Sequence, residues 1–382
     1  MLYPPQNIAH FRAYGLSISA AIPYTRAIRL VWQLTRHESV PHGSYVNSTM
    51  TSALQLEFLD LRHFSAQHLH PLLDEESAMW SQRLRWDYRN SASLVLQYID
   101  SHLLSGYAAL DQGRICGYIF CIYENNKAVI GDVFASRQSL GEDAAASVES
   151  QLIDHMLETL QHTPSLNRVE SQLLLHPHDL HREPFARAGF RLFPRLFMEL
   201  DLNRPDADPA SRIPRPGEMD GPGGGRYRLW RESDFDMSSR VITAAYAGHI
   251  DSEINDQYLS LGGAQRFLHN IVRFPGCGIF EEQASWLLAA PNNERLLGLL
   301  LCSRVSAGVG HVTQVCVVPE FQRQGVGEEL LNLSAASLQA GGCNTVTLTV
   351  TEQNTNAVAL YRRLGYRVQH RFDAMLWEKR MR

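Results

Sequence analysis

The sequence predicts an α/β protein of two similar domains in tandem, and three observations carry that prediction. Residues 312–351 read as an apolar strand, a glycine-rich loop, a helix and a second strand, the pattern of a crossover between parallel strands. Residues 203–225 contain five Pro and five Gly, which is typical of a linker. The stretches on either side of this linker share landmark residues at similar spacing. A chain of 382 residues is long enough for two such domains.

The glycine-rich loop is Gln322-Arg323-Gln324-Gly325-Val326-Gly327, directly before the predicted helix. Backbone N–H groups and the positive end of the helix dipole meet at such a loop, which suits a phosphate or pyrophosphate. Glycine lets the ligand approach closely, and Arg323 can add a charged donor. A Walker loop is excluded because no Gly-Lys-Ser/Thr is present. A dinucleotide fingerprint is excluded because it needs a third glycine. Alone, the short motif is equally compatible with the start of an ordinary helix.

The residues after the loop continue the alternation of helix and strand. Gly341-Gly342 ends the predicted helix, and residues 344–351 alternate between apolar side chains and threonine, as a strand does. Asn354, Tyr361 and Gly365-Tyr366 then follow at helical spacing, before a closing strand over Arg367–Trp377.

These residues together resemble the GNAT superfamily of acetyl-CoA-dependent N-acyltransferases. The resemblance rests on two signature blocks in the right order: the strand Val315-Cys316-Val317 with Pro319 and the loop Gln322–Gly327, then Asn354, Tyr361 and Gly365-Tyr366. It implies domains built as twisted mixed sheets flanked by helices. It also implies that the loop residues Gln322, Arg323, Gln324, Gly325, Val326 and Gly327 hold the pyrophosphate of acetyl-CoA. The strand residues Val315, Cys316 and Val317 would offer backbone groups to pantetheine, and Asn354 would line the same channel.

Acyl transfer to an amine needs a positioned thioester, an oxyanion donor, a base and an acid. The resemblance makes the backbone N–H of Val317 the oxyanion donor and the Tyr361 phenol the acid that protonates the leaving thiolate. His311, six residues before Val317, lies where some family members have a basic glutamate, so it is the candidate base. The alternative is a histidine that only forms a hydrogen bond at a strand edge.

A second polar group, His249–Asp256, holds several ionisable side chains between two predicted helices. GNAT folds usually place an acceptor-binding loop at this point, so the segment could grip a cationic amine. A solvated helix end with good caps is the interpretation that we favour from sequence. No ligand cluster at metal spacing is visible, so no metal is expected.

The two halves, residues 50–202 and 226–382, repeat the same landmarks. Arg114-x-x-Gly117 matches Arg295-x-x-Gly298, and Phe185-x-x-x-Gly189-Phe190 matches Tyr361-x-x-x-Gly365-Tyr366. The first half lacks Gly-x-Gly in its loop, residues 136–143, and Glu142-Asp143 would repel a pyrophosphate. Phe185 lies at the position of Tyr361, so the first half has no phenol there to act as a general acid. We therefore predict a degenerate first copy and a catalytic second copy, with two functional copies as the alternative.

Composition bounds the remaining possibilities. A net charge of −5 gives no basic field for nucleic acid, and no apolar run of 18 residues predicts a membrane span. Six scattered cysteines are typical of reduced thiols in a cytoplasmic protein. Residues 1–49 have no clear periodicity and are predicted to be a targeting arm, a disordered tail or sequence upstream of a true start at Met50.

The predicted function is transfer of an acetyl group from acetyl-CoA to a small-molecule or peptide amine, by direct attack in a ternary complex. A non-catalytic acyl-CoA-binding regulatory module is the alternative from another class. Transfer of a longer acyl group, or transfer to a thiol or hydroxyl, also stays open. The sequence does not define the oligomeric state.

Overall fold

The computed structural model describes residues 54–203, 219–273 and 278–379. The predicted N-terminal arm, residues 1–49, lies outside the described residues, and so does most of the predicted linker 203–225.

The first half runs from β1 to β6. Strands and helices alternate along it as the sequence predicts, although a helical pair separates β1 from β2. Its elements are β1 (Leu56–Asp60), α1 (Ala66–Leu84), α2 (Arg89–Asp100), β2 (Ser105–Asp111), β3 (Arg114–Glu124), β4 (Lys127–Ala135), α3 (Arg137–Leu140), α4 (Glu142–Gln161), β5 (Arg168–Gln172), α5 (Arg182–Arg187) and β6 (Arg191–Asp201).

The second half repeats this plan from β7 to β14. Its elements are β7 (Met219–Asp220), β8 (Arg226–Leu229), α6 (Phe235–Ala245), α7 (Ile250–Ile254), α8 (Leu261–Arg273), β9 (Ile279–Phe280), β10 (Trp286–Ala289), β11 (Leu296–Ser306), β12 (Val309–Val317), α9 (Val326–Ala340), β13 (Thr345–Thr351), α10 (Thr355–Arg363) and β14 (Arg367–Glu378). The predicted helix after the glycine loop and both predicted strands after it are therefore confirmed.

All strands of the described residues join one mixed sheet. Its order is β1-β2-β3-β4-β5-β14-β6-β13-β12-β11-β10-β8-β7, with β9 beside β11. The predicted crossover is present, because β12 and β13 are parallel. The equivalent strands of the first half, β4 and β5, are parallel too. The α/β class and the tandem mixed-sheet plan are confirmed, with the sheets of the two halves joined into one.

The two halves exchange their last strands. β14, from the second half, lies antiparallel between β5 and β6 of the first half. β6, from the first half, pairs along its other edge with β13 of the second half. Because ladder hydrogen bonds satisfy backbone groups along both edges of β6 and β14, each half supplies a strand that the other half needs.

The long helices pack against the sheet and bury apolar side chains. α4 packs on β2, β3 and β4, and α9 packs on β10, β11 and β12. Trp86, just after α1, reaches across the junction and contacts Phe197 of β6 and His311 of β12. None of the helices in the described ranges is long and apolar enough to cross a membrane.

Candidate active site

An open cleft lies between β12 and β13. The two strands pair from Val309 with Thr345 to Val312 with Leu348, and there the pairing ends. β12 continues to Val317, whereas β13 continues along β6, where Thr351 pairs with Arg195. Two parallel strands that diverge in this way leave backbone groups unpaired on the facing edges, and a ligand can bind to them.

The N–H group of Val317 points into this cleft. Val317 lies opposite Gly298 in the antiparallel pair of β11 and β12, and the next N–H, of Val318, donates to the carbonyl of Leu297 at 3.0 Å. Because successive N–H groups of a strand point to opposite edges, the Val317 N–H faces away from β11. The Val317 carbonyl points the same way and accepts a hydrogen bond from Nε2 of Gln322 at 3.1 Å.

The glycine loop closes one end of the cleft. Gly325 is the N-cap of α9 and has φ of 83°, a left-handed conformation that favours glycine. A Cβ on Gly327 would meet no atom closer than 3.9 Å, so the space in front of this residue is open. Arg323 also has a positive φ of 58° and lies on the exposed outer turn. Open space, the N-terminal N–H groups of a helix and an arginine are the features that an anion site requires, and pyrophosphate binding at this loop stays a prediction.

α10 brings Asn354 and Tyr361 to the cleft. Asn354 is the N-cap of this helix, and its Oδ1 accepts a hydrogen bond from the Ala357 N–H at 3.3 Å. Tyr361 is buried, with 6% of its surface exposed. Burial and the nearby carboxylate of Asp251 raise the pKa of Tyr361 above its ordinary value. The phenol therefore keeps its proton at neutral pH, as a general acid must.

The segment His249–Asp256 contacts the same site, which the sequence interpretation did not favour. Nε2 of His249 lies 3.2 Å from Nδ2 of Asn354, and the hydroxyl of Thr351 donates to the carboxylate of Asp251. His249 also caps α7, as the sequence interpretation favoured, because its Nδ1 accepts a hydrogen bond from the Asp251 N–H at 3.1 Å. Sequence periodicity gives no signal for these contacts, since about 100 residues separate α7 from β13 and α10.

His311 lies in a different environment. Its ring is 5% exposed, packs against Trp86 and Phe197, and places Nδ1 2.9 Å from the hydroxyl of Thr347. Burial, with a smaller effect from the charge of Arg195, lowers the pKa of His311 to about 3. A histidine that holds its proton so weakly is poorly suited to take one from an amine. The alternative interpretation, a histidine that only forms a hydrogen bond, matches this geometry.

The cysteines offer no nucleophile. The five in the described residues are buried free thiols; Cys277 lies outside the described ranges. Cys316 lies next to Val317, and burial raises its pKa to about 12. Since the thiolate is the reactive form, the protonated Cys316 is not a nucleophile and contributes to core packing.

The first half repeats the main landmarks of the cleft. Ala135 lies opposite Gly117 as Val317 lies opposite Gly298, and the Ser136 N–H donates to the Cys116 carbonyl at 2.8 Å. Gly141, with φ of 80°, is the N-cap of α4 as Gly325 is of α9. The N–H of Phe190 donates to the Phe185 carbonyl at 3.0 Å, and the corresponding bond from Tyr366 to Tyr361 is 2.9 Å. The predicted alignment of the two halves is consistent with these matching contacts.

The side chains of the first half occupy its own cleft. The Ala135 N–H, equivalent to that of Val317, donates to Oε1 of Glu149 at 3.0 Å. His176 lies 2.8 Å from the Val133 carbonyl on the same strand edge. The carboxylate of Glu75 accepts three hydrogen bonds from the loop that corresponds to the glycine loop; the donors are the Ser136 hydroxyl at 2.6 Å, the Arg137 N–H at 2.8 Å and the Gln138 N–H at 3.1 Å.

Residues 255–366 match the sequence profile described as the acetyltransferase (GNAT) family. Among curated proteins, the mycothiol acetyltransferase of Saccharopolyspora erythraea is 35% identical over 85 residues, and that of Arthrobacter sp. is 37% identical over 91 residues. Each match covers 22% of this chain and 28% of the relative, so the chain matches about a quarter of the length of these proteins.

Solved structures share the architecture of nearly the whole chain. A GCN5-related N-acetyltransferase from Sphaerobacter thermophilus aligns with a TM-score of 0.58 and 16% identity, covering 85% of this chain and 96% of the other. A tandem GNAT protein from the clavulanic acid biosynthesis pathway aligns with a TM-score of 0.50 and 13% identity, covering 86% and 100%. At this identity the likeness extends to the fold alone.

The buried His311 makes folding sensitive to acid. Its pKa is about 3 in the folded protein and 6.5 ordinarily, so between these values the unfolded chain binds the extra proton. Stability from this residue is complete above pH 6.5 and falls as the pH decreases. We expect a loss of roughly 2 kcal/mol between pH 7 and pH 5. Urea unfolding at both pH values should show a smaller loss in His311→Gln, whereas the exposed-site control Leu103→Ala should match the wild type. An unchanged loss in His311→Gln would contradict this assignment.

Proposed function

Because the chain is a member of the GNAT superfamily, we propose that its second half transfers an acetyl group from acetyl-CoA to an amine. The curated relatives are named mycothiol acetyltransferases, which supports acetyl transfer as the reaction class. The acceptor proposed here is a small-molecule or peptide amine. It is defined by the chemistry of the site and not by the name of those relatives, because the matches cover only 28% of their length.

One observation carries the assignment to the second half: the same backbone N–H has opposite surroundings in the two halves. The Val317 N–H points into an open cleft next to an unobstructed Gly327. The equivalent Ala135 N–H is bonded to the carboxylate of Glu149. A carboxylate at this point would repel the oxyanion of a reacting thioester, and it occupies the space that the thioester requires.

The residues of the second half match the needs of acyl transfer. Bound acetyl-CoA supplies the activated acyl group as a thioester. The Val317 N–H would polarise the acyl carbonyl and stabilise the negative charge that develops on its oxygen. Tyr361, kept protonated by burial and by Asp251, would donate a proton to the leaving sulfur. The amine would attack directly, since Cys316 is buried and protonated.

Asp251 is suited to hold the amine. Its carboxylate is 15% exposed, is fixed by the Thr351 hydroxyl and acts electrostatically on Tyr361. An amine acceptor arrives as an ammonium ion, because its pKa of about 10 lies well above neutral pH. We propose that Asp251 binds this ammonium beside the acid and so orients the nitrogen for attack.

Acetyl-CoA binding should depend on the second loop alone. In Gly327→Glu, a side chain fills the open space and its charge opposes the pyrophosphate, so calorimetry should show at least about tenfold weaker binding. The matched control is Asp143→Asn, at the equivalent position of the first half, and it should bind like the wild type with about one acetyl-CoA per chain. Unchanged binding in Gly327→Glu would refute the phosphate site, and two bound ligands would refute a closed first cleft.

Removal of the Tyr361 hydroxyl should slow the chemical step. Tyr361→Phe keeps the ring and its packing, so the affinity for acetyl-CoA should be retained while kcat falls about 100-fold. CoA release would be followed with a panel of amines, polyamines, amino acids and peptides. Tyr366→Phe is the control, since its ring lies 5.8 Å from that of Tyr361 and its buried hydroxyl has no hydrogen-bond partner. Equal rates in the two variants would exclude Tyr361 as the acid. Binding of acetyl-CoA without turnover of any amine would favour a regulatory module.

The role of Asp251 can be separated from that of the cofactor site. Asp251→Asn should raise KM for a cationic amine about tenfold or more, with the affinity for acetyl-CoA unchanged. The slow hydrolysis of acetyl-CoA without acceptor should also be unchanged, and a merely structural defect would not spare it. Glu253→Gln, on the same helix but exposed and paired with Arg191, is the matched control. A loss of equal size in both variants would refute ammonium binding at Asp251.

A further inference from the structure

We propose that Glu149, His176 and His181 of the first half form a binding site for a divalent transition metal ion, with zinc as the best match. The three side chains come from α4 and from the segment after β5, and their ligand atoms lie within 4.8 Å of one another. Two imidazoles and a carboxylate are ligands that zinc accepts readily. This site takes no part in the proposed acyl transfer. The metal proposal therefore does not depend on the proposed function of the second half.

The distances between these atoms suit a shared ion. Oε2 of Glu149 accepts a hydrogen bond from Nε2 of His181 at 3.1 Å and lies 3.7 Å from Nδ1 of His176. A bound ion would replace this hydrogen bond, and the proton of His181 would then lie on Nδ1, which faces the Ser150 hydroxyl. Nitrogen and oxygen ligands lie about 2.0–2.2 Å from zinc, so two of them at a tetrahedral angle are about 3.4 Å apart. The observed distances fall on either side of this value. These two separations are compatible with a shared ion.

His176 presents a free lone pair to this point. Its Nε2 lies 2.8 Å from the Val133 carbonyl, and since a carbonyl only accepts, this nitrogen carries the proton. The neutral ring then has its lone pair on Nδ1, which faces Glu149. Nδ1 has no hydrogen-bond partner, although His176 is only 2% exposed. Buried polar atoms are rarely left unpaired, and coordination of a metal ion would give this nitrogen a partner.

The outer contacts of the three residues resemble those around metal ligands. His181 places its second nitrogen, Nδ1, 3.3 Å from the Ser150 hydroxyl. Glu149 is held through Oε1 by the Ala135 N–H, while Oε2 stays oriented toward both histidines. Hydrogen bonds from the non-ligating nitrogen of a histidine orient the ring and are a regular feature of metal sites.

The charges of the site allow a divalent cation. The Glu149 carboxylate and the imidazoles of His176 and His181 supply the ligand atoms, and all three residues are buried. The Arg137 guanidinium, 2.9 Å from Oε2 of Glu149, opposes a cation at this point, and Arg182 adds a positive charge at the neighbouring cavity. Asp132, 3.8 Å from Nε2 of His176, is a nearby acidic group.

A small cavity lies beside the two histidines, although Glu149 does not line it. His176 and His181 line it together with Arg182 and Asp373, and it has room for about one water molecule. Three protein ligands and one water complete a tetrahedral site. Because His176 also occupies the first cleft, the ion would fasten this segment to α4 and keep the cleft closed.

The test is metal content of untagged full-length protein. After growth with zinc and extensive dialysis, mass spectrometry should find about one zinc per chain. His181→Gln and His176→Gln should each lower the retained zinc at least about tenfold, as loss of one of three ligands does. Cobalt added to metal-stripped wild type should give the intense visible absorption of a four-coordinate site. Either variant alone suffices if the other does not fold.

His162→Gln, an exposed histidine at the end of α4, is the control and should retain zinc like the wild type. His178→Gln tests the neighbouring group His178, Asp179 and Asp373 and should also retain zinc. The proposal is overturned by wild-type protein that takes up no zinc or cobalt, or by equal zinc in the ligand variants. Zinc lost only in His178→Gln would overturn it as well.

Discussion

The exchange of β6 and β14 is the constraint on which the site depends. β13 pairs with β6 over its whole length, from Thr345 to Thr351, but with β12 only as far as Leu348. The ladder with β6 therefore holds the end of β13 away from β12 and opens the cleft at Val317. Since β6 belongs to the first half, the geometry of the candidate active site is built by both halves. This gives the first half an essential structural part even where its own cleft is closed.

The same divergence of strands has two outcomes within one chain. In the second half, the facing backbone edge and the loop at Gly327 remain open to a ligand. In the first half, Glu149, His176 and Glu75 form hydrogen bonds to the corresponding backbone groups. Buried N–H and carbonyl groups must be paired, so a cleft that has lost its ligand is expected to gain internal partners. The carboxylates of Glu75 and Glu149 take the positions where the open cleft would receive anionic groups.

Burial assigns the ionisable groups of the second half to different tasks. Tyr361 keeps its proton because burial and Asp251 disfavour the phenolate, which suits an acid. His311 stays neutral because burial disfavours the imidazolium, which suits a core position between Trp86 and Phe197. Asp251 stays partly accessible and is fixed by Thr351. The part that each group can take follows from its surroundings and not from its residue type.

Local elements could be predicted from the order of residues alone: the strand into Val317, the glycine loop, α9, β13, and the cap and tyrosine of α10. These follow from periodicity, glycine at a left-handed N-cap and short-range spacing, which act between near neighbours. The sequence also indicated the repeat and the degenerate loop at 136–143. The tertiary structure decided the strand exchange, the burial of His311, the approach of Asp251 and His249 to α10, and the filling of the first cleft. Those features join residues up to about 260 positions apart, as Arg85 and Thr345 are, and no local pattern encodes such pairing.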